Sequence, residues 1–175
     1  AEMIKDEKVD MAYVGGADGL SRSCFALFHR LGAMSPDFCR PFDKNRQGMM
    51  VSEGAGVLVL ESLESALNRN AYIYAEIIGH GLSCDAYHST APHPEGLGAT
   101  LAMLKALKSA NIKANEVSYI SAHGTGTKAN DSTESKALYR VFKEYTDRIP
   151  VSSLKSMIGH TMGAASGLEA ISSVL

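Results

Sequence analysis

The stretch over residues 117–127, VSYISAHGTGT, constrains the fold more than any other part of the chain. Its first half is apolar and rich in Val, Tyr and Ile, which predicts a short buried strand ending at Ala122. A polar turn with His123 and two glycines follows at once. Glycine permits unusual backbone angles and close approach of a ligand, and α/β folds place their chemistry at such strand ends. By itself the stretch fits either a functional turn or a loop with a structural histidine.

A second stretch, residues 149–165 with the sequence IPVSSLKSMIGHTMGAA, repeats this pattern. It predicts a strand over 149–152, a polar turn with Lys155, and a helix that starts near His160 and runs to Leu175. Two strands that each end near a histidine can direct both side chains into one pocket. We expect the positive end of the helix to disfavour the imidazolium form of His160. A neutral histidine there could donate a hydrogen bond to a developing oxyanion.

The rest of the chain alternates between predicted strands and helices, which indicates an α/β fold. Asp131 with Glu134 three residues later has the pattern of a capping box, and Asn111 is a helix stop signal. The apolar run VLVL predicts a strand buried on both faces. The predicted strands are 11–14, 57–60 and 72–78, and the predicted helices are 23–31, 98–109 and 131–145.

Composition narrows the class of protein. The chain has 175 residues, 45% of them hydrophobic and 21% charged, as in an ordinary globular domain. A net charge of −2 gives no sign of a nucleic-acid partner, and no apolar run is long enough to predict a membrane span. Three widely spaced cysteines do not form a disulfide framework, which favours a cytoplasmic protein. No metal site is expected, because the histidines lack the spacing of zinc ligands.

Several motifs resemble one family. HGTGT and the later KSMIGH closely resemble motifs of the β-ketoacyl-acyl carrier protein synthases, the ketosynthases of fatty acid and polyketide biosynthesis. Residues 39–61, CRPFDKNRQGMMVSEGAGVLVLE, resemble the family's RPFD and GEGAG block, and residues 82–92 resemble its SSDAYHxT loop. The resemblance implies a thiolase-like fold with layered αβαβα architecture. It also implies that residues 1–71 end the N-terminal ketosynthase half and that 72–175 form a truncated C-terminal half.

The resemblance assigns catalytic roles to four residues. His123 and His160 match the histidine pair that stabilises negative charge on the malonyl thioester oxygen after carbon dioxide leaves. Lys155 matches the family's lysine, which we expect to organise the two histidines electrostatically. Glu134 matches the partner carboxylate of that lysine, although its position also fits a helix cap.

The resemblance also implies substrate contacts. Thr125 and Thr127 match hydroxyls that hold the pantetheine arm or the malonyl group, and Thr90 is a weaker candidate for the same work. Phe28 lies where the family lines its acyl pocket, although a phenylalanine at helical spacing from Phe25 also fits a packed core. No cofactor is implied, since the substrates are carried on the phosphopantetheine arm of an acyl carrier protein.

The expected partners are the acyl carrier protein and a second subunit, in a homodimer or in a ketosynthase/chain-length-factor heterodimer. A basic carrier-docking residue of the family is replaced here by Gly32, with Arg30 as the nearest charge. In the DAYHST loop, the sequence leaves open whether Asp85 and His88 are structural or gating.

Two family motifs are not found in the 175 residues: the TACSS-like motif with the nucleophilic cysteine and the FGFGGTN-type loop. We therefore expect the chain to be part of a longer ketosynthase and to be inactive alone. Cys24, Cys39 and Cys84 are expected to be ordinary free thiols. One alternative is a non-catalytic subunit like the chain-length factors, although intact histidine motifs favour catalysis. A thiolase acting on coenzyme A is less favoured, because HGTGT and KSMIGH are not its pattern.

Overall fold

The computed structural model describes all 175 residues, which pack into two compact units. Each unit contains residues from both sides of position 71, so the packing units are not the two predicted halves. The boundary between residues 71 and 72 stays a prediction. The first unit comprises Ala1–Leu20, Ser52–Ile77 and Thr161–Leu175, and the second comprises Ser21–Val51 and Ile78–His160.

Helices and strands alternate only in part. The helices are α1 (Glu2–Lys5), α2 (Arg22–Arg30), α3 (Leu63–Asn68), α4 (Leu97–Ala110), α5 (Lys128–Phe142), α6 (Lys155–Ile158) and α7 (Ala165–Val174). The strands are β1 (Met11–Asp18), β2 (Gly54–Glu61), β3 (Ile120–Ser121) and β4 (Val151–Ser152). Short 3₁₀ turns cover Ala114–Glu116, Lys143–Tyr145 and Met162–Ala164.

In the first unit, β1 and β2 form an antiparallel pair on which α7 packs. The approach is close at Gly56, where an added Cβ would lie 3.1 Å from the backbone of Gly167 in α7. The prediction that residues 57–60 are buried on both faces is wrong, because Val57 and Val59 are 60% and 52% exposed. A two-stranded antiparallel sheet covered by one helix buries alternate residues only.

The second unit has its core between α4, α5 and the strands β3 and β4. Leu138, Val141 and Phe142 from α5 are buried, and Ile149 completes the cluster. Tyr145 packs against this cluster from the 3₁₀ turn that follows α5. This core holds the N-terminal part of α5 beside the ends of β3 and β4.

The strand predicted over residues 72–78 is wrong, whereas the helix end predicted at Asn111 is confirmed. Residues 72–78 are exposed and form no strand, because no other strand of the chain runs beside them to complete a ladder. In contrast, α4 ends where the sequence indicated, with Asn111 in the left-handed conformation at φ 55°. None of the helices has both the length and the apolar character required to cross a membrane.

Candidate active site

Two short parallel strands bring the histidine turns together. Ile120 pairs with Val151 and Ser121 with Ser152, so β3 and β4 end at the same edge. The amide of Ala122 continues the ladder by donating to the Ser152 carbonyl at 2.8 Å. Parallel strands that end side by side place their following residues close together. The predicted convergence of the two turns is confirmed.

The two imidazole rings lie edge to face. The ring centroids of His123 and His160 are 5.4 Å apart, and the ring planes meet at 83°. The His160 amide donates to the Met50 carbonyl at 2.7 Å, and a parallel bridge with Val51 fixes the same backbone. His123 is exposed while His160 is partly buried. The pair therefore forms one site that a ligand can approach from the His123 side.

His160 is neutral at pH 7. Its pKa is lowered to about 4, chiefly by burial, then by the charge of Lys155 and by the electrostatic interaction with the His123 ring. The predicted cause, the start of a helix, needs correction, because a 3₁₀ turn from Met162 follows His160 and α7 begins only at Ala165. A neutral imidazole carries one ring N–H that can donate to an oxyanion without first losing a proton.

Lys155 is almost completely buried, with 1% of its surface exposed. Its Nζ donates to the His123 carbonyl oxygen at 2.7 Å and lies 3.5 Å from Nδ1 of the same residue. An ammonium group can only donate hydrogen bonds. An Nδ1 that accepts from this ammonium leaves the ring proton of His123 on Nε2.

Glu134 acts on the backbone of the histidine turn. Its Oε1 accepts from the His123 amide at 2.7 Å, and its Oε2 accepts from the Gly124 amide at 2.8 Å and from Asn130 at 3.1 Å. The pairing of Glu134 with Lys155 stays a prediction, and the contacts described here join the two residues through His123. The lysine binds the carbonyl group and the glutamate binds the amide of the same residue, His123.

The helix that carries Glu134 begins earlier than the sequence indicated. Thr127 is the N-cap of α5, and its hydroxyl accepts from the Asn130 amide at 3.3 Å. Asp131, the predicted cap, is 1% exposed and binds elsewhere: it accepts from the amides of Phe42 at 2.7 Å and Gly126 at 3.2 Å. Threonine and aspartate are both good caps, and the long-range contacts of Asp131 decide between them.

The predicted substrate-binding residues lie in three places. The hydroxyl oxygens of Thr125 and Thr127 are 2.8 Å apart in the His123 turn, where Thr125 is buried. Thr90 is exposed in its own loop, where its amide donates to Nδ1 of His88 at 3.1 Å. Phe28 is partly buried on α2. Their contacts with substrate stay predictions.

Two polar residues have roles that the sequence did not settle. Ser153 donates from its hydroxyl to the Gly124 carbonyl at 2.8 Å and accepts from the Lys155 amide at 3.3 Å, which links the two turns. In the sequence, the position of Ser153 directly after a predicted strand was the only feature that could have indicated this role. Asp85 is structural, since its carboxylate accepts from the amides of His93 and Gly98, each at 2.9 Å.

The cysteines have the environments of ordinary thiols. Cys39 is buried and donates to the Thr125 carbonyl at 3.3 Å. Burial, and to a smaller extent the charge of Asp131, raises the pKa of its thiol. Cys24 is partly exposed, Cys84 is exposed, and all three are free. The structure contains no cluster of three or more His, Cys, Asp or Glu side chains that could hold a metal ion.

Comparison with family models gives two successive matches along the chain. Residues 1–66 match the model described as "Beta-ketoacyl synthase, N-terminal domain". Residues 74–175 match "Beta-ketoacyl synthase, C-terminal domain". The second match alone covers more than half of the chain.

Individual proteins agree with these matches. A 3-oxoacyl-acyl-carrier-protein synthase 2 of Staphylococcus aureus is 53% identical over 99% of this chain and 45% of its own length. A solved structure of the ishigamide ketosynthase/chain length factor superimposes with TM-score 0.93 at 54% identity, covering 99% of this chain and 42% of that one. The chain thus spans less than half the length of these relatives.

A third comparison supports the same fold. A type II PKS acyl-carrier protein in complex with its ketosynthase superimposes with TM-score 0.95 at 37% identity, covering 99% of this chain and 44% of that one. The predicted α/β, thiolase-like fold is confirmed for the part of a ketosynthase that the chain spans.

Proposed function

We propose, because the chain belongs to the beta-ketoacyl synthase family, that its histidine site takes part in a decarboxylative Claisen condensation. The substrates would be a malonyl group on a carrier protein and an enzyme-bound acyl thioester, in fatty acid or polyketide biosynthesis. One observation carries the proposal: neutral His160 lies edge to face with His123, their ring centroids 5.4 Å apart, beside buried Lys155.

The proposed chemistry begins with loss of carbon dioxide. The bond between the malonyl α-carbon and its carboxylate breaks, and the electron pair moves into the thioester to form an enolate. The negative charge that develops on the thioester oxygen accepts hydrogen bonds from the ring N–H groups of His123 and His160. Preorganised donors of this kind each contribute about 3–4 kcal/mol. The Lys155 charge favours the same anion.

Condensation follows from the enolate. Its α-carbon attacks the carbonyl carbon of the acyl thioester, a new carbon–carbon bond forms, and the thiolate that held the acyl group leaves. The two products are the lengthened β-ketoacyl thioester on the carrier and the free thiolate. In this scheme Lys155 and Glu134 act through His123, because both bind its backbone.

The remaining site residues would bind the substrates. Thr127 and Thr125 belong to the same turn as His123, which supports contact with the malonyl group or the pantetheine arm. Thr90 is assigned to the same arm, and Phe28 to the acyl pocket. No cofactor takes part in the proposed reaction.

We assign an acyl carrier protein as the partner that delivers the substrates. The structural neighbour that is an acyl-carrier protein in complex with its ketosynthase supports this assignment. We expect a dimer, either of two identical subunits or with a chain length factor, and the ishigamide ketosynthase/chain length factor supports the second form. We place the protein in the cytoplasm, where thiols such as its three free cysteines stay reduced.

The test measures conversion of malonyl- to acetyl-carrier protein by mass spectrometry. We expect the complete ketosynthase of which this chain is a part to catalyse this conversion, and His123→Ala in it to lower the rate about 100- to 1,000-fold. His29→Ala, at an exposed histidine on α2, is the matched control and should leave the rate unchanged. If wild type and His123→Ala fail equally, the non-catalytic chain-length-factor role gains support.

A further inference from the structure

Phe42 has a backbone conformation that few phenylalanines adopt. Its φ is 63°, in the left-handed region that favours glycine. A bulky residue remains there only when its surroundings hold it. Here the Phe42 amide donates to Oδ2 of Asp131 at 2.7 Å, and Asp131 is 1% exposed. A buried, charged acceptor therefore fixes the strained residue.

The ring of Phe42 packs on the backbone of the histidine turn. A Cβ added to Gly124 would lie 2.9 Å from Cε2 of Phe42 and 2.6 Å from Cβ of Ser153. The ring and the serine side chain therefore both pack against the backbone at Gly124, the residue after His123. Gly124 itself has φ 41°, so a side chain there is excluded both by space and by conformation.

The same carboxylate joins the strained residue to the turn. Oδ1 of Asp131 accepts from the Gly126 amide at 3.2 Å. Arg46 contacts both this carboxylate and the histidine turn. Its Nε lies 3.5 Å from Oδ2 of Asp131 and 3.4 Å from the carbonyl oxygen of Thr127. Phe42 thus touches the turn directly through its ring and indirectly through Asp131.

We propose that Phe42 is a positioning residue for His123, acting through Gly124. The proposal rests on the proposed function, because it concerns the donor that would meet the enolate oxygen. Removing the ring leaves space beside Gly124 and lets the turn move. The His123 N–H then loses alignment with an anion that exists only during reaction. We therefore expect an effect on kcat rather than on KM.

Kinetics of malonyl-carrier protein decarboxylation by the complete ketosynthase test this role. Phe42→Ala and Phe42→Leu should lower kcat about 10- to 100-fold, because small misplacements of catalytic groups are costly. KM should change less than about 2-fold, because a loss of alignment affects the transition state and not substrate binding. Phe42→Tyr should keep most of the rate, because it retains the ring that packs on the turn. Phe38→Ala, at a phenylalanine of the same loop that is 67% exposed, is the matched control.

A double variant separates positioning from general packing. In a His123→Ala background, Phe42→Ala should cause little further loss, because its effect passes through His123. Full additivity of the two losses would overturn the proposal. So would an unchanged kcat in Phe42→Ala and Phe42→Leu. Phe42→Leu retains apolar bulk, so its kcat tests the proposal if Phe42→Ala does not fold.

An independent measurement distinguishes this proposal from the proposed function. The imidazole NMR signals of His123 should shift in Phe42→Leu and not in Phe38→Ala, whether or not the protein is active. Unshifted signals would overturn the positioning role even in an active enzyme. An inactive complete ketosynthase with shifted signals would refute the proposed function and leave the contact between Phe42 and the turn supported.

Discussion

The ammonium nitrogen of Lys155 lies 2.7 Å from the carbonyl oxygen of His123 and 3.5 Å from its Nδ1. One buried cation thereby contacts both the backbone of the histidine and the Nδ1 edge of its ring. The same cation contributes to the low pKa of His160. The relationship explains how one lysine can organise both imidazoles without acting as a nucleophile.

Replacing Lys155 should raise the pKa of His160. Lys155→Met removes a positive charge that disfavours imidazolium, so the pKa should rise from about 4. It should stay below the ordinary value of 6.5, because burial is the larger cause. An NMR titration of His160 measures this. The control, Lys128→Met at an exposed position of α5, should leave the pKa unchanged, and an unshifted value in Lys155→Met would contradict the electrostatic role.

Stability should fall in mild acid because of His160. The unfolded chain binds a proton there near pH 6.5, whereas the folded chain does so only near pH 4. The stabilisation is thus complete above pH 6.5 and is lost as the pH falls to about 4. Since His160 is partly exposed, solvent screening reduces the effect to about 1–2 kcal/mol.

Urea unfolding between pH 7.5 and 4.5 measures this loss. His160→Gln should show a flatter dependence of unfolding free energy on pH than wild type. His29→Gln, at an exposed histidine, should follow wild type. Parallel curves for wild type and His160→Gln would show that His160 is not the group responsible.

Glu134 should stabilise the histidine turn. Glu134→Gln replaces one acceptor oxygen by an amide nitrogen, so one of the amides of His123 and Gly124 loses its partner. We expect a loss of about 1–3 kcal/mol in unfolding free energy. Glu144→Gln, at an exposed glutamate, should change stability by less than about 0.5 kcal/mol. Equal stability of both variants would argue against the backbone contacts.

The thiols should react in order of exposure. Iodoacetamide should label exposed Cys84 first and Cys39 last, because burial shields the Cys39 thiol and raises its pKa. In urea all three should react at similar rates. Mass spectrometry of peptides gives the order. Rapid labelling of Cys39 in the folded protein would reveal a reactive cysteine beside the histidine turn.

The motifs predicted the histidine pair because chemistry and local pattern coincide there. Each histidine follows a short β-rich run, and parallel pairing of β3 with β4 brings the two together. The contacts that hold the site were not predictable in the same way. Asp131 binds the amide of Phe42, 89 positions away, and only tertiary packing decides that this carboxylate leaves the capping role to Thr127.

The errors in the predicted strands have a related cause. Val57 belongs to an apolar run that resembles a fully buried strand, yet it is exposed on the side of the sheet away from α7. Residues 72–78 have strand composition but no strand beside them. Apolar sequence predicts that a surface can be buried, whereas the neighbouring elements determine whether it is.

The most direct test is the rate of carbon dioxide release from malonyl-carrier protein by the complete wild-type ketosynthase and by its His160→Ala variant. If neutral His160 donates to the enolate oxygen, the variant should be about 100- to 1,000-fold slower, with malonyl-carrier binding retained. The wild-type rate should also persist below pH 6, since the pKa of His160 is about 4. An unchanged rate in His160→Ala would contradict the proposed role of the histidine pair.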